Sequence, residues 1–369
     1  MRLKETPDDF VVEEIALGGE VLEIGREYAF DEQPKGPHLI FVLEKRNWDS
    51  IGAIKEIGRR LHASERRLGF AGTKDRRAVS AQLCSAQGFK PEELEALRIK
   101  DITLKPLRYG SEVKLGDLEG NRFTIVVREV DPNVKAPASV ANLFGEQRFG
   151  ALRPITHLVG KAIVEEDAKK AVDTYLFKWF EAEPEEEKKA RQRLEKERDY
   201  AAALEYYPMR MTYERTLLGH LARKPDDYCG ALRDLPRKLL VMFVHAYQSD
   251  LFNRVVEQRR KLGFQPIEGD ILEDGVPTAP LYGHDSQLAG GKQGEIERRV
   301  LDAEWLELKQ FKLHKMPELS SAGMRRAMVV GVREFKVLEK GSDWVKVRFS
   351  LPKGCYATTV LAEMFGSGQ

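Results

Sequence analysis

The spacing of apolar residues changes character twice along the chain. Near the start, "FVVEEI" (10–15) predicts a short strand. "HLIFVLEKRNWDS" (38–50) predicts a second, apolar strand followed by a turn. Asp49 or Ser50 then stands where a helix N-cap is expected. In "IGAIKEIGRRL", Ile51, Ile54, Ile57 and Leu61 recur at helical spacing, while Lys55, Glu56, Arg59 and Arg60 face elsewhere. "NRFTIVVREV" (121–130) alternates, with Phe123, Ile125 and Val127 on one face and Thr124, Val126 and Arg128 on the other. "WVKVRFSL" (344–351) alternates more cleanly: Val345, Val347, Phe349 and Leu351 against Lys346, Arg348 and Ser350. A half-buried strand with a basic outer face follows from that pattern.

From about Lys161 the spacing is long and helical. "EAEPEEEKKARQRLEKERDY" (181–200) is almost wholly charged and predicts a solvated helix, with i,i+4 partners such as Glu185–Lys189 and Glu187–Arg191. "LPRKLLVMFVHAYQSDLFNRVVEQRRKLG" (235–263) holds enough apolar residues for a buried core helix. "PLYGH" and "AGGKQG", within 280–294, predict loops. Strand alternation resumes at "MVVGVREFKVLE" (328–339). There is no internal repeat. A strand-rich start, a helix-rich middle and a strand-rich end predict one α+β domain interrupted by an inserted domain, the two outer pieces sharing a sheet.

Composition narrows the function classes. With 369 residues the chain is too long for one small core. Its 60 Lys and Arg nearly balance its 59 Asp and Glu, so any affinity for nucleic acid must come from local clustering. The three cysteines, Cys84, Cys229 and Cys355, form no CxxC pair, which argues against a thiolate metal site or a disulfide framework. The seven histidines show no metalloprotease spacing. The opening "MRLKETPDDF" has no apolar leader, and no later run reaches membrane-spanning length. A reducing, cytoplasmic compartment is expected.

The densest chemistry lies in "GFAGTKDRRAVSAQ" (69–82), where Lys74, Asp75, Arg76 and Arg77 are consecutive. A phosphate-binding P-loop is excluded. Thr73 separates Gly72 from Lys74, and Asp75 follows where a hydroxyl is needed. Two readings fit: a solvated charged turn, or a catalytic carboxylate. Neighbouring cations favour the ionised form of an aspartate, which suits a nucleophile or an electrostatic stabiliser better than a general acid. The same cations would draw in a phosphate backbone.

This stretch resembles the signature of the TruD family of tRNA pseudouridine synthases, Gly-Phe-x-Gly-x-Lys-Asp-x-x-Ala-x-Thr-x-Gln. Ser80 replaces the usual threonine and keeps the hydroxyl. Five further segments resemble family motifs in the same order: "LKETPDDFVVEE", "GNRFTIVVRE", "NLFGEQRFG", "QSDLFN" and "FSLPKGCYATTVLAEM". Together they reach from residue 4 to residue 364. The likeness is to the archaeal type of the family.

The resemblance implies an isomerase. It would break the N-glycosidic bond of a uridine in tRNA, turn the base over and rejoin it through C5, with no metal or cofactor. The family's usual target is uridine-13 in the D arm. Asp75 falls on the essential aspartate and is the expected nucleophile. Phe10, Asn121, Phe123 and Tyr356 fall on family residues that line the uridine pocket, hydrogen-bond the target nucleotide or stack on the base. Lys4 falls on a lysine held near the catalytic acid. Such roles suit a flipped base held between aromatic faces. Read alone, Phe123 is a core residue by its alternation, Asn121 after Gly120 is a turn residue, and Lys4 is solvated. Arg148 is expected to brace the domain junction, and Arg325 and Arg326 to be RNA contacts or surface charge.

The implied fold is an α+β catalytic domain around a mostly antiparallel mixed sheet, residues 1–150 and 318–369, interrupted by an inserted α/β domain, residues 151–317. A monomer is expected, with tRNA bound in the cleft between the domains against Lys74, Arg76 and Arg77. Affinity would fall with salt as counterions are released. Two rivals are an RNA-binding protein without catalysis and a hydrolase. A hydrolase would need a second acid, for which Asp8 and Glu14 are the distant candidates.

Overall fold

The computed structural model describes residues 1–33, 35–135 and 137–366. The chain forms two compact units, one of Met1–Val140 with Val330–Gln369 and one of Ala141–Val329. Residues 141–150 and 318–329 thus fall in the second unit.

The first unit is built on an eight-stranded sheet. Its strands are β1 (Phe10–Ala16), β2 (His38–Arg46), β3 (Leu68–Phe70), β4 (Val79–Gln87), β5 (Ile102–Gly110), β6 (Leu118–Arg128), β7 (Arg333–Lys340) and β8 (Trp344–Pro352). The order is β7-β8-β6-β1-β4-β2-β5, with β3 also paired to β4. Only β1 and β4 run parallel; the other pairs are antiparallel. The sheet is therefore mixed and mostly antiparallel, and both outer pieces of the sequence contribute to it.

Register decides which side chains meet, because directly opposed residues share a face. Across β6 and β1, Ile125 opposes Phe10, Phe123 opposes Val12 and Asn121 opposes Glu14. Val12 in turn opposes Ser80, and Ser80 opposes Lys45. One face therefore carries Phe10, Glu14, Asn121, Phe123, Ser80, Gln82 and Lys45. Helix α1 (Ser50–Arg60) covers one part of it, packing Ala53, Ile54 and Ile57 on Leu39, Phe41, Leu43 and Cys84. Helix α2 (Ala357–Phe365) covers another part, with Val360 and Leu361 against Phe10, Phe123 and Phe349.

Asp49 caps α1, its carboxylate accepting the Gly52 N–H at 2.8 Å. Ile51 departs from the expected apolar stripe and is 53% exposed. Ser50 turns inward in its place, so the buried stripe is Ser50, Ala53, Ile54 and Ile57. Gly120 is a strand residue, not part of a turn. A Cβ there would strike the Leu351 carbonyl on β8, so only glycine lets the strands approach next to Asn121.

The second unit packs helices around Arg237–Arg260, whose residues Phe243, Tyr247, Leu251 and Phe252 are buried. A three-stranded antiparallel sheet of Leu272–Glu273, Val276–Leu281 and Met324–Ala327 accompanies them. The charged stretch does form a helix, Glu185–Glu197, but Arg191 is not paired with Glu187. It turns inward to Glu183 and Glu214, at 2.9 and 2.6 Å, while Glu187 meets Arg210. "AGGKQG" is only partly loop, since Gly291 begins the helix Gly291–Ala303. Arg325 lies in a strand of this unit and holds buried Glu297 at 2.7 Å. Arg326 donates to Asn142 Oδ1 at 2.6 Å. Two of the motif segments meet here: Asn253 bonds both the N–H and the carbonyl of Phe144, and Arg148 donates to Ser249 Oγ at 3.0 Å.

Candidate active site

The signature stretch is half strand. It begins in β3, runs through a loop at 71–78 and ends inside β4. The loop is pinned from beneath by polar groups of the covered sheet face. The Lys74 N–H donates to Ser50 Oγ at 2.8 Å, and that hydroxyl donates to Gln82 Oε1 at 2.7 Å. Gln82 Nε2 returns to the Gly72 carbonyl at 3.0 Å. The Lys74 ammonium reaches Glu14 Oε2 at 2.5 Å, with side chains only 4% and 0% exposed. The other Glu14 oxygen accepts the Leu83 N–H at 2.9 Å. Lys45 Nζ donates to the carbonyls of Trp48 at 2.6 Å and Asp75 at 3.2 Å.

Burial sets the protonation of these inner groups. It pushes the Glu14 carboxyl upward, against the opposing pull of Lys74. It also pushes the Lys45 ammonium down to about 8, and the nearby Lys74 charge adds to that shift.

With its backbone held, Asp75 presents its carboxylate outward, 43% exposed. Lys4 Nζ lies 2.5 Å from Asp75 Oδ2 and 4.1 Å from the centre of the Phe10 ring. Lys4 takes a left-handed backbone, φ +57°, which is uncommon outside glycine. Phe10 meets Phe123 edge-on, with ring centroids 6.2 Å apart, and Phe123 lies 5.7 Å from Phe349. Asn121 stands two residues before Phe123 on the same face. Its Oδ1 is buried and lacks a hydrogen-bond partner, as does the Ser80 hydroxyl. Tyr356 is half-buried and immediately precedes α2.

The structure thus brings Lys4, Phe10, Asp75 and Phe123 into one chain of contacts. It places Asn121 on the same face. Arg77 donates to the Glu5 carbonyl at 2.8 Å, and Arg76 is exposed. Lys74 lies differently from its expected RNA-facing position. It is buried and committed to Glu14, so it anchors the loop from inside. Glu14 and Asp8 are both engaged as well, Glu14 by Lys74 and Asp8 by Arg46. Neither stands as a loose second acid beside Asp75.

Two anchoring groups lie outside the sequence reading, Lys45 and Ser50, and Gln82 entered it only as the last position of the signature. Lys45 did carry a signal. Leu39, Phe41 and Leu43 point inward, and Lys45 continues their phase with a charge. What results is a partly exposed carboxylate on a fixed backbone, beside an ammonium that rests on an aromatic ring. Such a group can attack an electrophilic carbon or take up a proton.

Comparison with known proteins identifies the family. The model of the family described as tRNA pseudouridine synthase D (TruD) matches residues 1–275 and 272–364. A Methanopyrus kandleri protein named "Probable tRNA pseudouridine synthase D" is 44% identical over 346 residues, covering 90% of this chain and 86% of its own. A Methanococcoides burtonii protein of the same name is 38% identical, covering 98% of this chain and 92% of its own. A crystal structure from Methanosarcina mazei, described as a candidate tRNA pseudouridine synthase D (TruD), superposes with a TM-score of 0.78 at 36% identity, covering 99% of this chain and 93% of its own. With matches over nearly its whole length in sequence and in fold, this chain belongs to the tRNA pseudouridine synthase D (TruD) family.

Proposed function

We propose that the protein isomerises uridine-13 in the D arm of tRNA to pseudouridine, with the Asp75 carboxylate as the reacting group. The observation that carries this reading is the placement of Asp75 at 2.5 Å from Lys4, which itself lies over Phe10. The reaction breaks the N1–C1′ bond and forms a C5–C1′ bond. The C5 proton leaves and N1 gains one, so nothing is oxidised and no co-reactant is consumed. Attack at C1′, addition to the uracil ring and base-assisted elimination all use the carboxylate in its anionic form. Lys4 contacts the carboxylate, and Lys45 and Lys74 hold the loop that carries it. Asn121 offers its unbonded oxygen to the flipped nucleotide. Phe10 and Phe123 are buried beneath α2 and back the site from the core, and Arg76 and Arg77 face the phosphate backbone. The second unit acts as the inserted domain of the family. The enzyme works as a monomer in the cytoplasm without metal or cofactor. Among the described residues, no helix is long and apolar enough to cross a membrane.

Purified protein is expected to convert uridine-13 of an unmodified tRNA transcript and to leave a transcript with cytidine at that position unchanged. Mapping pseudouridine across both transcripts checks this. Conversion at another position would move the target and keep the chemistry. Release of free uracil would replace isomerisation by hydrolysis.

Tyr356 supplies a narrower test. A base stacked on an aromatic gains about 1–3 kcal/mol, so Tyr356→Ala is expected to lower turnover roughly 5- to 150-fold. The side chain is only half-buried, so the unfolding midpoint should move little. Matched losses of activity and stability would return Tyr356 to a packing role.

A further inference from the structure

We infer that Lys45 is a positioning residue for the reaction, its buried ammonium fixing the peptide that follows Asp75 and so the direction of the Asp75 carboxylate. This rests on the reading of Asp75 as the reacting group.

Two lysines lie beneath the loop, and they are held differently. Lys74 has a carboxylate, Glu14. The hydrogen bonds of Lys45 go to two carbonyls, those of Trp48 and Asp75, while its side chain is almost fully buried. Burying an ammonium on neutral acceptors is expensive, and a methionine of similar length would fill the space at lower cost. The contacts show what the charge achieves. The Trp48 carbonyl lies just past the end of β2 and one residue before the Asp49 cap of α1. The Asp75 carbonyl belongs to the loop. One ammonium bridges the rigid element to the reacting residue's own peptide group. A shift there would turn the carboxylate away from Lys4 and from any bound uridine.

The groups that face Lys45 are Lys74 and Asp75 from the loop, Asp49 at the start of α1, and Cys84 from β4. Burial holds the Cys84 thiol far above its usual range, so it stays neutral where Lys45 titrates. Lys45 is pushed down to about 8 from the usual lysine value of 10.5. Below about 8 both the folded and the unfolded chain carry this charge. Between about 8 and 10.5 only the unfolded chain carries it, so this group's contribution to stability rises with pH. At neutral pH the charged Lys45 therefore weakens the fold.

Lys45→Met is expected to lower the single-turnover rate at pH 7 by about 10- to 100-fold, the scale of a small misplacement of a reacting group. tRNA affinity should stay within about threefold, and the thermal midpoint should be equal or higher. The wild-type rate should fall as pH rises through about 8, while the rate of Lys45→Met stays flat across that range. A wild-type rate in Lys45→Met, or a wild-type profile flat to about pH 9.5, would overturn the inference. Should Lys45→Met not fold, the wild-type profile decides alone, with tRNA affinity measured across the same range. Asp75→Asn is run in parallel. Turnover by that variant removes the premise about Asp75, whereas an inactive Asp75→Asn beside a fully active Lys45→Met removes only the role of Lys45.

Discussion

Replacing Asp75 by asparagine should abolish pseudouridine formation while tRNA binding survives. Asparagine keeps the shape of the side chain and removes its charge. The carboxylate is 43% exposed and its pair with Lys4 is one of surface type, so the pair is worth at most about 1 kcal/mol of stability. The Asp75 carbonyl, which Lys45 holds, is untouched by the substitution. Fold and loop should therefore persist, and only the reacting atom changes. Loss of a nucleophile commonly costs on the order of 10⁴-fold or more in turnover. Release of tritium from tRNA labelled at C5 of uridine measures this, because the C5 proton leaves whenever the new bond forms. Filter binding at fixed salt measures affinity in parallel, with a change of no more than about threefold expected. An asparagine variant that releases tritium at the wild-type rate would refute Asp75 as the reacting group. Asp75→Glu sharpens the test. It keeps the charge but moves it by about one methylene, so a loss on the order of 10²-fold is expected from misplacement alone.

Strands β1, β2, β6, β7 and β8 could be read from the sequence, whereas β4 and the edge strand β5 could not. β8 shows its burial directly: Val345, Val347, Phe349 and Leu351 are all buried, and the residues between them are polar. Strand β4 reads "VSAQLCSAQ" and is buried on both faces. It therefore has no alternation to detect, and its small residues look like loop. The same limit hid the site's supports. Glu14 and Lys45 follow the inward phase of their strands, but a charge on that phase resembles a surface residue until its partner is known. Those partners are remote in sequence: Lys74 for Glu14, Asp75 for Lys45, and Lys4 for Asp75. Spacing along one element cannot show contacts that only the closed sheet creates. The identities of Phe10, Asp75, Asn121 and Phe123 came from resemblance; Lys4 then joins Asp75 to Phe10, and Phe10 meets Phe123. Resemblance to the family did not show that Lys74 faces inward. Its position beside Asp75 suggested an RNA contact, yet alternate residues of an extended loop point to opposite sides, and Lys74 takes the buried one.

That inward lysine leads to the largest expected change in stability. Lys74→Met removes the only cation bonded to Glu14 among the described residues, leaving that carboxylate fully buried with the Leu83 N–H as its one remaining donor. Breaking one side of a buried ion pair costs about 3–5 kcal/mol, because the remaining charge is uncompensated. The pH dependence fixes the cause. Burial already raises the Glu14 carboxyl above its usual range, and Lys74 is the largest influence pulling it back. Without Lys74 it rises further. A carboxyl whose folded value lies above its unfolded value binds more protons folded than unfolded in the window between the two. Stability in that window therefore falls as pH rises. The defect of Lys74→Met should be larger at pH 8 than at pH 5, because Glu14 takes up a proton and becomes neutral as the pH falls. Urea unfolding at both pH values, with hydrogen exchange of β1 and β4 amides reporting on the first unit, measures the difference. Adding Glu14→Gln to Lys74→Met should restore most of the loss at pH 8, since no buried charge then remains. The restored fold should still turn over slowly, because the loop bearing Asp75 has lost one of its anchors. If Lys74→Met is as stable as wild type at pH 8, or if its defect is the same at both pH values, the buried pair does not hold the loop.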